Sequence, residues 1–181
     1  MNFKTFFESD QIEEWYHGTP HNIERFIDDF VGTGTDQEGP GIYFTSNEED
    51  AAGYARKGND PHMFKVSLNF KKLVPLKGKI PVNECIQLLK WAEDYENKLL
   101  NWGSENQNEN LKAQKQSLLK EQTPHQAFQS IFVDYYRYSP IEFVRGMVTL
   151  GYDGVIVPRG FMNVKHAIVY NPKIIEVIER Y

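Results

Sequence analysis

Two short segments in the first third of the chain hold the side chains best suited to chemistry. They are residues 16–19 (YHGT) and residues 41–45 (GIYFT). In the first segment, a histidine precedes a glycine, whose backbone lacks a Cβ, so a flat carboxamide could approach its N–H and C=O groups. Two tyrosines, Tyr43 and Tyr54, could hold an aromatic ring between them. On residue types alone, a structural histidine and core tyrosines explain the pattern equally well.

Other kinds of site find little support. His17 and His21 are the one i,i+4 histidine pair, and the intervening Gly-Thr-Pro breaks the helix that metal binding at this spacing needs. No Walker-type phosphate loop or nucleophile elbow is present. Cys85, the single cysteine, lies in a helical apolar pattern, which predicts a core residue. We therefore expect no metal, no internal disulfide and a reducing compartment.

The elements that must position these segments fall into three blocks. Residues 1 to about 80 and 151–181 are strand-rich, whereas 81–150 show helical patterns. The interpretation is a single α+β domain over 1–181 with 81–150 as a helical insertion. The predicted strands are 14–18, 41–45, 64–70, 154–157, 167–170 and 174–178.

Two helices carry clear start signals. Ser46 with Glu49 forms a capping-box pattern, which predicts that a helix opens at Ser46 and delivers Tyr54. Ser139 with Glu142 repeats the pattern before a helix that ends ahead of Gly151. Residues 103–110 (GSENQNEN) are predicted to be a polar loop between helices.

The two candidate segments, together with Ala51-x-x-Tyr54-Ala55, resemble the first signature blocks of the H-Y-E class of ADP-ribosyltransferases, the diphtheria-toxin and poly(ADP-ribose)-polymerase type. Residues 152–156 (YDGVI) and 167–172 (AIVYNP) are similar to later blocks of bacterial and phage members. The resemblance covers the strand-rich ends, roughly half of the chain. It implies an α+β fold with a split β-sheet clasping NAD⁺, and a helical middle segment.

The resemblance also implies roles for individual residues. NAD⁺ would be the co-substrate, and His17 would hydrogen-bond its adenosine ribose. The backbone of Gly18 would pair with the nicotinamide carboxamide, and Thr19 would belong to the same binding segment. Tyr43 and Tyr54 would stack on the nicotinamide ring from two sides. The loop at 32–40 would lie over the dinucleotide.

One signature position departs from the family. A glutamate usually precedes the final strand, and His166 stands there instead. The implied catalytic set is then His17, Tyr43 and His166. Two interpretations stay open: neutral His166 accepts the ribose hydroxyl proton or acts as a base, or the site binds NAD⁺ but turns it over poorly. Family members without the glutamate are commonly mono-transferring, so we expect mono-ADP-ribosylation.

Three further residues complete the comparison. Ala51 occupies a position where polymerases usually carry a serine, which removes one hydrogen bond to the carboxamide. Asp153 and Glu176 are the acids nearest in sequence to the last strands. Asp153 is predicted to form a turn and Glu176 to face solvent, so neither is expected to replace the glutamate.

The functional hypothesis is a mono-ADP-ribosyltransferase that modifies a protein or a nucleic acid. An intracellular toxin or phage effector is the expected setting, and a toxin would have a neutralising antitoxin partner by family analogy. The alternatives are a catalytically weak NAD⁺- or ADP-ribose-binding module and an NAD⁺ glycohydrolase.

No membrane-spanning or signal segment is apparent, which predicts a cytoplasmic protein. The net charge of −5 favours a protein acceptor, whereas five lysines with no acid among them keep nucleic acid open: Lys65, Lys71, Lys72, Lys77 and Lys79.

Overall fold

A computed structural model describes residues 13–27, 31, 39–100, 123–159 and 163–181. The polar loop predicted at 103–110 lies outside the described residues, as does most of the loop expected to cover the dinucleotide, at 32–38. Within the described ranges, no helix is both long enough and apolar enough to cross a membrane.

The chain folds as an α+β structure around one six-stranded sheet, which confirms the predicted fold class. The strands are β1 (Trp15–Thr19), β2 (Ile42–Thr45), β3 (His62–Leu68), β4 (Gly154–Arg159), β5 (Val164–Val169) and β6 (Ile175–Arg180). The helices are α1 (Glu48–Ala55), α2 (Val82–Leu100), α3 (Pro124–Ile131), which continues into a π-helical turn (Phe132–Tyr136), α4 (Pro140–Thr149) and a short 3-10 turn (Pro172–Ile174). The strand order is β4-β5-β2-β1-β3-β6, and neighbouring strands are antiparallel.

The sheet is divided between β1 and β2. β1 pairs with β3 along its whole length, from Trp15 to Thr19, but with β2 only where Tyr16 meets Thr45. Tyr16 and Thr45 form the one backbone pair between β1 and β2 among the described residues. The sheet therefore consists of two halves, β4-β5-β2 and β1-β3-β6, whose strand pairing is limited to this position.

Burial explains the sequence patterns of the strands. β5 lies between β4 and β2, and its residues from His166 to Val169 are all buried. A strand covered on both faces needs a continuous apolar run, which accounts for the AIV sequence at its end. β3 instead buries only Phe64 and Val66, in the alternation expected of a half-buried strand.

Asp153 connects three segments near the start of β4. Its carboxylate accepts hydrogen bonds from the backbone N–H groups of Lys71 and Lys72 and from the side-chain amide of Asn171, at 2.8 to 3.0 Å. Burial acts to raise the pKa of Asp153, but these hydrogen bonds outweigh it and hold the pKa below its ordinary value. Asp153 therefore has a structural role, but it joins segments that are distant in the chain and does not form the turn predicted for it.

The prediction that Ser46 caps α1 is wrong. Asn47 caps α1, because its Oδ1 accepts a hydrogen bond from the N–H of Asp50 at 3.0 Å. The Oγ of Ser46 instead accepts from the N–H of Lys165, and the N–H of Ser46 donates to the Lys165 carbonyl, both at 2.9 Å. Ser46 therefore extends the pairing of β2 with β5 by one residue.

The second capping prediction is wrong in its mechanism. α4 begins at Pro140 as expected, but Ser139 makes no side-chain capping hydrogen bond. The carboxylate of Glu142 pairs instead with Arg145, at 2.7 Å. Gly151, at φ 83°, follows the end of the helix in the left-handed conformation, as predicted.

Candidate functional site

The strand register places several of the predicted site residues on one face of the sheet. Partners in an antiparallel pair share a face, and side chains two residues apart on a strand share it too. Tyr16 pairs with Thr45, and Thr45 pairs with His166. Tyr43 and Gly18 lie two residues further along β2 and β1, outside the paired position of these strands. Gly18, Tyr43 and His166 therefore belong to one face, which we call the α1 face.

α1 covers this face directly at Gly18. A Cβ on Gly18 would lie 1.7 Å from the carbonyl oxygen of Ala51 and 3.0 Å from the nitrogen of Ala55. The glycine is thus required for the helix backbone to approach β1. We predicted that the missing Cβ makes room for a ligand, but it makes room for α1. Pairing of a carboxamide with the N–H and C=O groups of Gly18 stays a prediction.

The side chain of Tyr43 is hydrogen-bonded to the turn that precedes β2. Its hydroxyl donates a 2.6 Å hydrogen bond to the carbonyl of Gly39, which adopts φ 104°. Gly41 follows, where a Cβ would lie 2.4 Å from the side chain of Ile168 on β5. Gly41 therefore lets the turn before β2 approach β5, and the phenol of Tyr43 holds that turn at Gly39.

Replacing Tyr43 with phenylalanine should lower the free energy of unfolding by about 1 kcal/mol, because a partly buried hydrogen bond is lost while the ring remains. Tyr16→Phe is the matched control, since its phenol bonds the exposed Glu14 at 3.2 Å. Urea unfolding of both variants checks this. If the two substitutions lowered the free energy of unfolding equally, the hydrogen bond from Tyr43 to Gly39 would contribute no more than the exposed one from Tyr16 to Glu14.

His17 points to the opposite face of the sheet from Tyr43. Its ring lies against three phenylalanine rings with centroid separations of 5.1 to 6.3 Å: Phe26, Phe44 and Phe64. Its Nδ1 lies 2.7 Å from the carbonyl oxygen of Tyr43. The imidazole therefore bridges β1 and β2 where their direct pairing ends.

This environment sets the protonation of His17. A carbonyl can only accept, so Nδ1 carries the hydrogen, and Nε2 of the neutral ring is left as an acceptor. Burial lowers the pKa of His17, and the hydrogen bond to the Tyr43 carbonyl offsets part of that effect. The ring is therefore neutral near pH 7. A hydrogen bond from a ribose hydroxyl to its Nε2 stays a prediction.

The lowered pKa of His17 predicts a loss of stability in acid. Below the unfolded-state pKa of 6.5, the unfolded chain binds a proton at this position more readily than the folded chain does. The free energy of unfolding should therefore fall further between about pH 7.5 and about pH 5.5 in the wild type than in a His17→Gln variant. Urea unfolding at the two pH values measures both differences. Equal differences would contradict a half-buried, neutral His17 in the folded protein.

Tyr54 and Thr19 have very different surroundings. Tyr54 lies near the end of α1 with 45% of its surface exposed, so its ring is accessible for stacking. Thr19 is buried at the end of β1, and its Oγ1 accepts a hydrogen bond from the N–H of His21 at 3.2 Å. The Thr19 hydroxyl therefore shapes the turn after β1. Contact of either residue with NAD⁺ stays a prediction.

His166 occupies the α1 face but is only 8% exposed. It lies between Thr45 on β2 and Val157 on β4, and Ser46 holds the peptide of the preceding residue, Lys165. The Lys165 ammonium pairs with Glu13. A ligand could therefore reach only a small part of the imidazole. His17 projects from the other face, so the sheet does not bring the two histidines together.

Neither of the two acids considered from the sequence, Asp153 and Glu176, takes the glutamate position in the part of the chain that the structure describes. The carboxylate of Asp153 is already engaged by backbone and amide donors, as described above. Glu176 is exposed on the edge strand β6, which confirms that it faces solvent. Within the described residues, no three histidine, cysteine or acidic side chains converge as metal ligands.

Some features of the site were missed at the sequence level. Tyr16 shares the α1 face with Tyr43 and His166, which becomes apparent once the register is known. The three phenylalanine rings around His17 were also missed, although the alternation of Phe64 with polar residues was itself recognised. A strand pattern shows which side chains share a face, but not which strand lies beside it.

The lysine-rich segment is partly engaged within the protein. Lys65 pairs with Glu14 at 2.7 Å. The Nζ of Lys72 donates to the Leu150 carbonyl at 3.0 Å and lies 3.8 Å from the centre of the Tyr152 ring. The remaining lysines of the segment are exposed: Lys71, Lys77 and Lys79.

Comparison with protein-family models matches residues 11–179 to the family described as ADP-ribosyltransferase in polyvalent proteins, ART-PolyVal. The match includes every predicted site residue and also the helical middle, which the motif resemblance did not cover. Comparisons with curated proteins and with solved structures gave no significant match.

Proposed function

The chain belongs to the family of ADP-ribosyltransferases in polyvalent proteins, and we propose that it moves one ADP-ribose unit from NAD⁺ to a macromolecular acceptor and releases nicotinamide. Membership confirms the resemblance to the ADP-ribosyltransferase superfamily, whose members use NAD⁺ as co-substrate. The mono-transfer, the acceptor and the residues that act on NAD⁺ are parts of the proposal.

The observation that best supports the proposal is the limited pairing of β1 with β2, which the described residues form only at Tyr16 and Thr45. Gly18 and Tyr43 lie on these two strands outside that pairing, and His17 hydrogen-bonds the Tyr43 carbonyl across them. In the proposed complex the backbone of Gly18 pairs with the carboxamide, Tyr43 and Tyr54 stack on the nicotinamide ring, and Thr19 supports the turn beside them. Nε2 of His17 accepts a hydrogen bond from a ribose hydroxyl.

The proposed reaction needs little covalent participation by the protein. As the bond between the ribose C1′ and the nicotinamide nitrogen breaks, its electron pair goes to the ring nitrogen and nicotinamide becomes neutral. Cationic character develops at C1′, and the acceptor nucleophile attacks there. Groups that bind NAD⁺ more tightly in this state than in the ground state accelerate the reaction.

In the proposal, His166 replaces the missing glutamate. It lies on the same face as Tyr43, and its imidazole accepts a hydrogen bond from the hydroxyl of the nicotinamide ribose. An imidazole lacks the negative charge that supports attack by a further ribose hydroxyl, so the product is a single ADP-ribose unit. A catalytically weak NAD⁺-binding module is the second candidate, favoured by the low exposure of His166.

The acceptor is proposed to be a protein, because the chain carries a net charge of −5, which disfavours nucleic acid. A toxin or phage effector is the proposed setting, and an antitoxin is the proposed partner of such a toxin.

Incubation of a cell lysate with the protein and NAD⁺ labelled in the adenylate tests the acceptor and the chain length. We expect label that protease removes and nuclease does not, and phosphodiesterase digestion should release only AMP. Phosphoribosyl-AMP would show elongation and contradict mono-transfer. Label that only nuclease removes would contradict a protein acceptor, and nicotinamide release with no label on any macromolecule would identify a glycohydrolase.

A further inference from the structure

A lysine lies over the exposed tyrosine that is proposed to stack on nicotinamide. The Nζ of Lys57 is 4.1 Å from the centre of the Tyr54 ring. The backbone N–H of Lys57 donates to the Tyr54 carbonyl at 3.2 Å, in the turn at the end of α1. Residues three apart on a helical turn are neighbours, so the backbone itself brings the lysine back over the ring.

The charge of the nicotinamide ring changes during the proposed reaction. In NAD⁺ the ring is a pyridinium cation, whereas released nicotinamide is neutral. An electron-rich tyrosine face attracts cations, and an ammonium group already bound to it opposes a second cation. A neutral ring feels no comparable repulsion.

We propose that Lys57 is a specificity-determining residue that disfavours the cationic nicotinamide of NAD⁺ on Tyr54 relative to the neutral nicotinamide. The inference rests on the proposed function, because it requires that Tyr54 stacks on this ring. The repulsion is relieved as the C1′–N bond breaks, because the positive charge moves from the ring to the ribose. Lys57 thus weakens ground-state binding of NAD⁺ more than it weakens the transition state.

The test compares the KM for NAD⁺ with the inhibition constant of nicotinamide in Lys57→Met. We expect the KM to fall by about threefold and kcat to fall with it, with little change in the inhibition constant. Arg56→Met removes the same charge from the neighbouring exposed position and should leave both constants unchanged. A higher KM in Lys57→Met would overturn the proposal, as would an equal fall in both constants, which indicates simple steric competition.

A double-mutant cycle separates this inference from the proposed function. In a Tyr54→Leu background, Lys57→Met should have no effect on the KM for NAD⁺, because the contact depends on the ring. If Lys57→Met lowered the KM for NAD⁺ as much in the Tyr54→Leu background as in the wild type, the inference would be overturned. The proposed transferase activity would be unaffected by that result. If Tyr54→Leu alone changes neither constant, the stacking role of Tyr54 fails. Absence of nicotinamide release by the wild type would instead refute the proposed function.

Discussion

The Gly18→Ala variant should lose turnover of NAD⁺ and unfold more easily than the wild type, by about 3 kcal/mol. The added Cβ would lie 1.7 Å from the carbonyl oxygen of Ala51, 2.6 Å from its carbonyl carbon and 3.0 Å from the nitrogen of Ala55. These are backbone atoms of α1, which cannot rotate away as a flexible side chain could. The helix must shift as a unit, and Tyr54 shifts with it.

Gly53→Ala is the matched control for this prediction. Gly53 lies in α1 itself, and a Cβ there has nothing within 4 Å. The alanine should stabilise the helix by ~0.5–1 kcal/mol and leave turnover unchanged. Urea unfolding measures the stability of both variants, and nicotinamide release measures their turnover. If Gly18→Ala were as stable and active as the wild type, the close packing of α1 on β1 would be wrong.

The second large effect is expected at His166. His166→Ala should reduce label transfer by about 100-fold, because the nicotinamide ribose loses the acceptor that positions its hydroxyl. His166→Glu restores the carboxylate of the family at this position, so it should keep transfer and allow elongation of the product. Label transfer per folded molecule measures the activity of each variant. Phosphodiesterase digestion of the product shows whether His166→Glu elongates it.

His21→Ala serves as the control for the His166 variants. His21 is an exposed histidine, and its hydrogen bond to Thr19 uses the backbone N–H, which alanine retains. It should behave as the wild type does. Unchanged transfer in folded His166→Ala would contradict the role proposed for this imidazole, while leaving the roles proposed for His17 and Tyr43 untouched.

The elements and the core were predictable because local patterns determine them. Each predicted β-prone run contains an observed strand or a large part of one. Cys85 was predicted to be a core residue, and this is confirmed: it is fully buried, and burial raises the pKa of its thiol to about 12. The exposure of Glu176 also followed from the alternation of its strand. These features depend only on neighbours in sequence.

The features that depend on contacts between distant segments could not be predicted. Ser46 and Asn47 are both good capping residues, and only the position of Lys165 on the adjacent strand shows that Ser46 bonds there instead. The face that His17 occupies follows from the register of β1 with β2 and β3, which no local pattern specifies. The packing of Ala51 on Gly18 likewise requires the position of α1.

Release of nicotinamide from NAD⁺ by the purified protein, beside His17→Ala and His21→Ala, tests the central claim most directly. Nε2 of His17 is the acceptor proposed for the ribose, and its ring also bridges β1 and β2 through the Tyr43 carbonyl. The wild type and His21→Ala should release nicotinamide, and His17→Ala should not. A wild-type protein that binds NAD⁺ but releases no nicotinamide would contradict the transferase and identify a binding module. Undiminished release by a folded His17→Ala variant would contradict the proposed site.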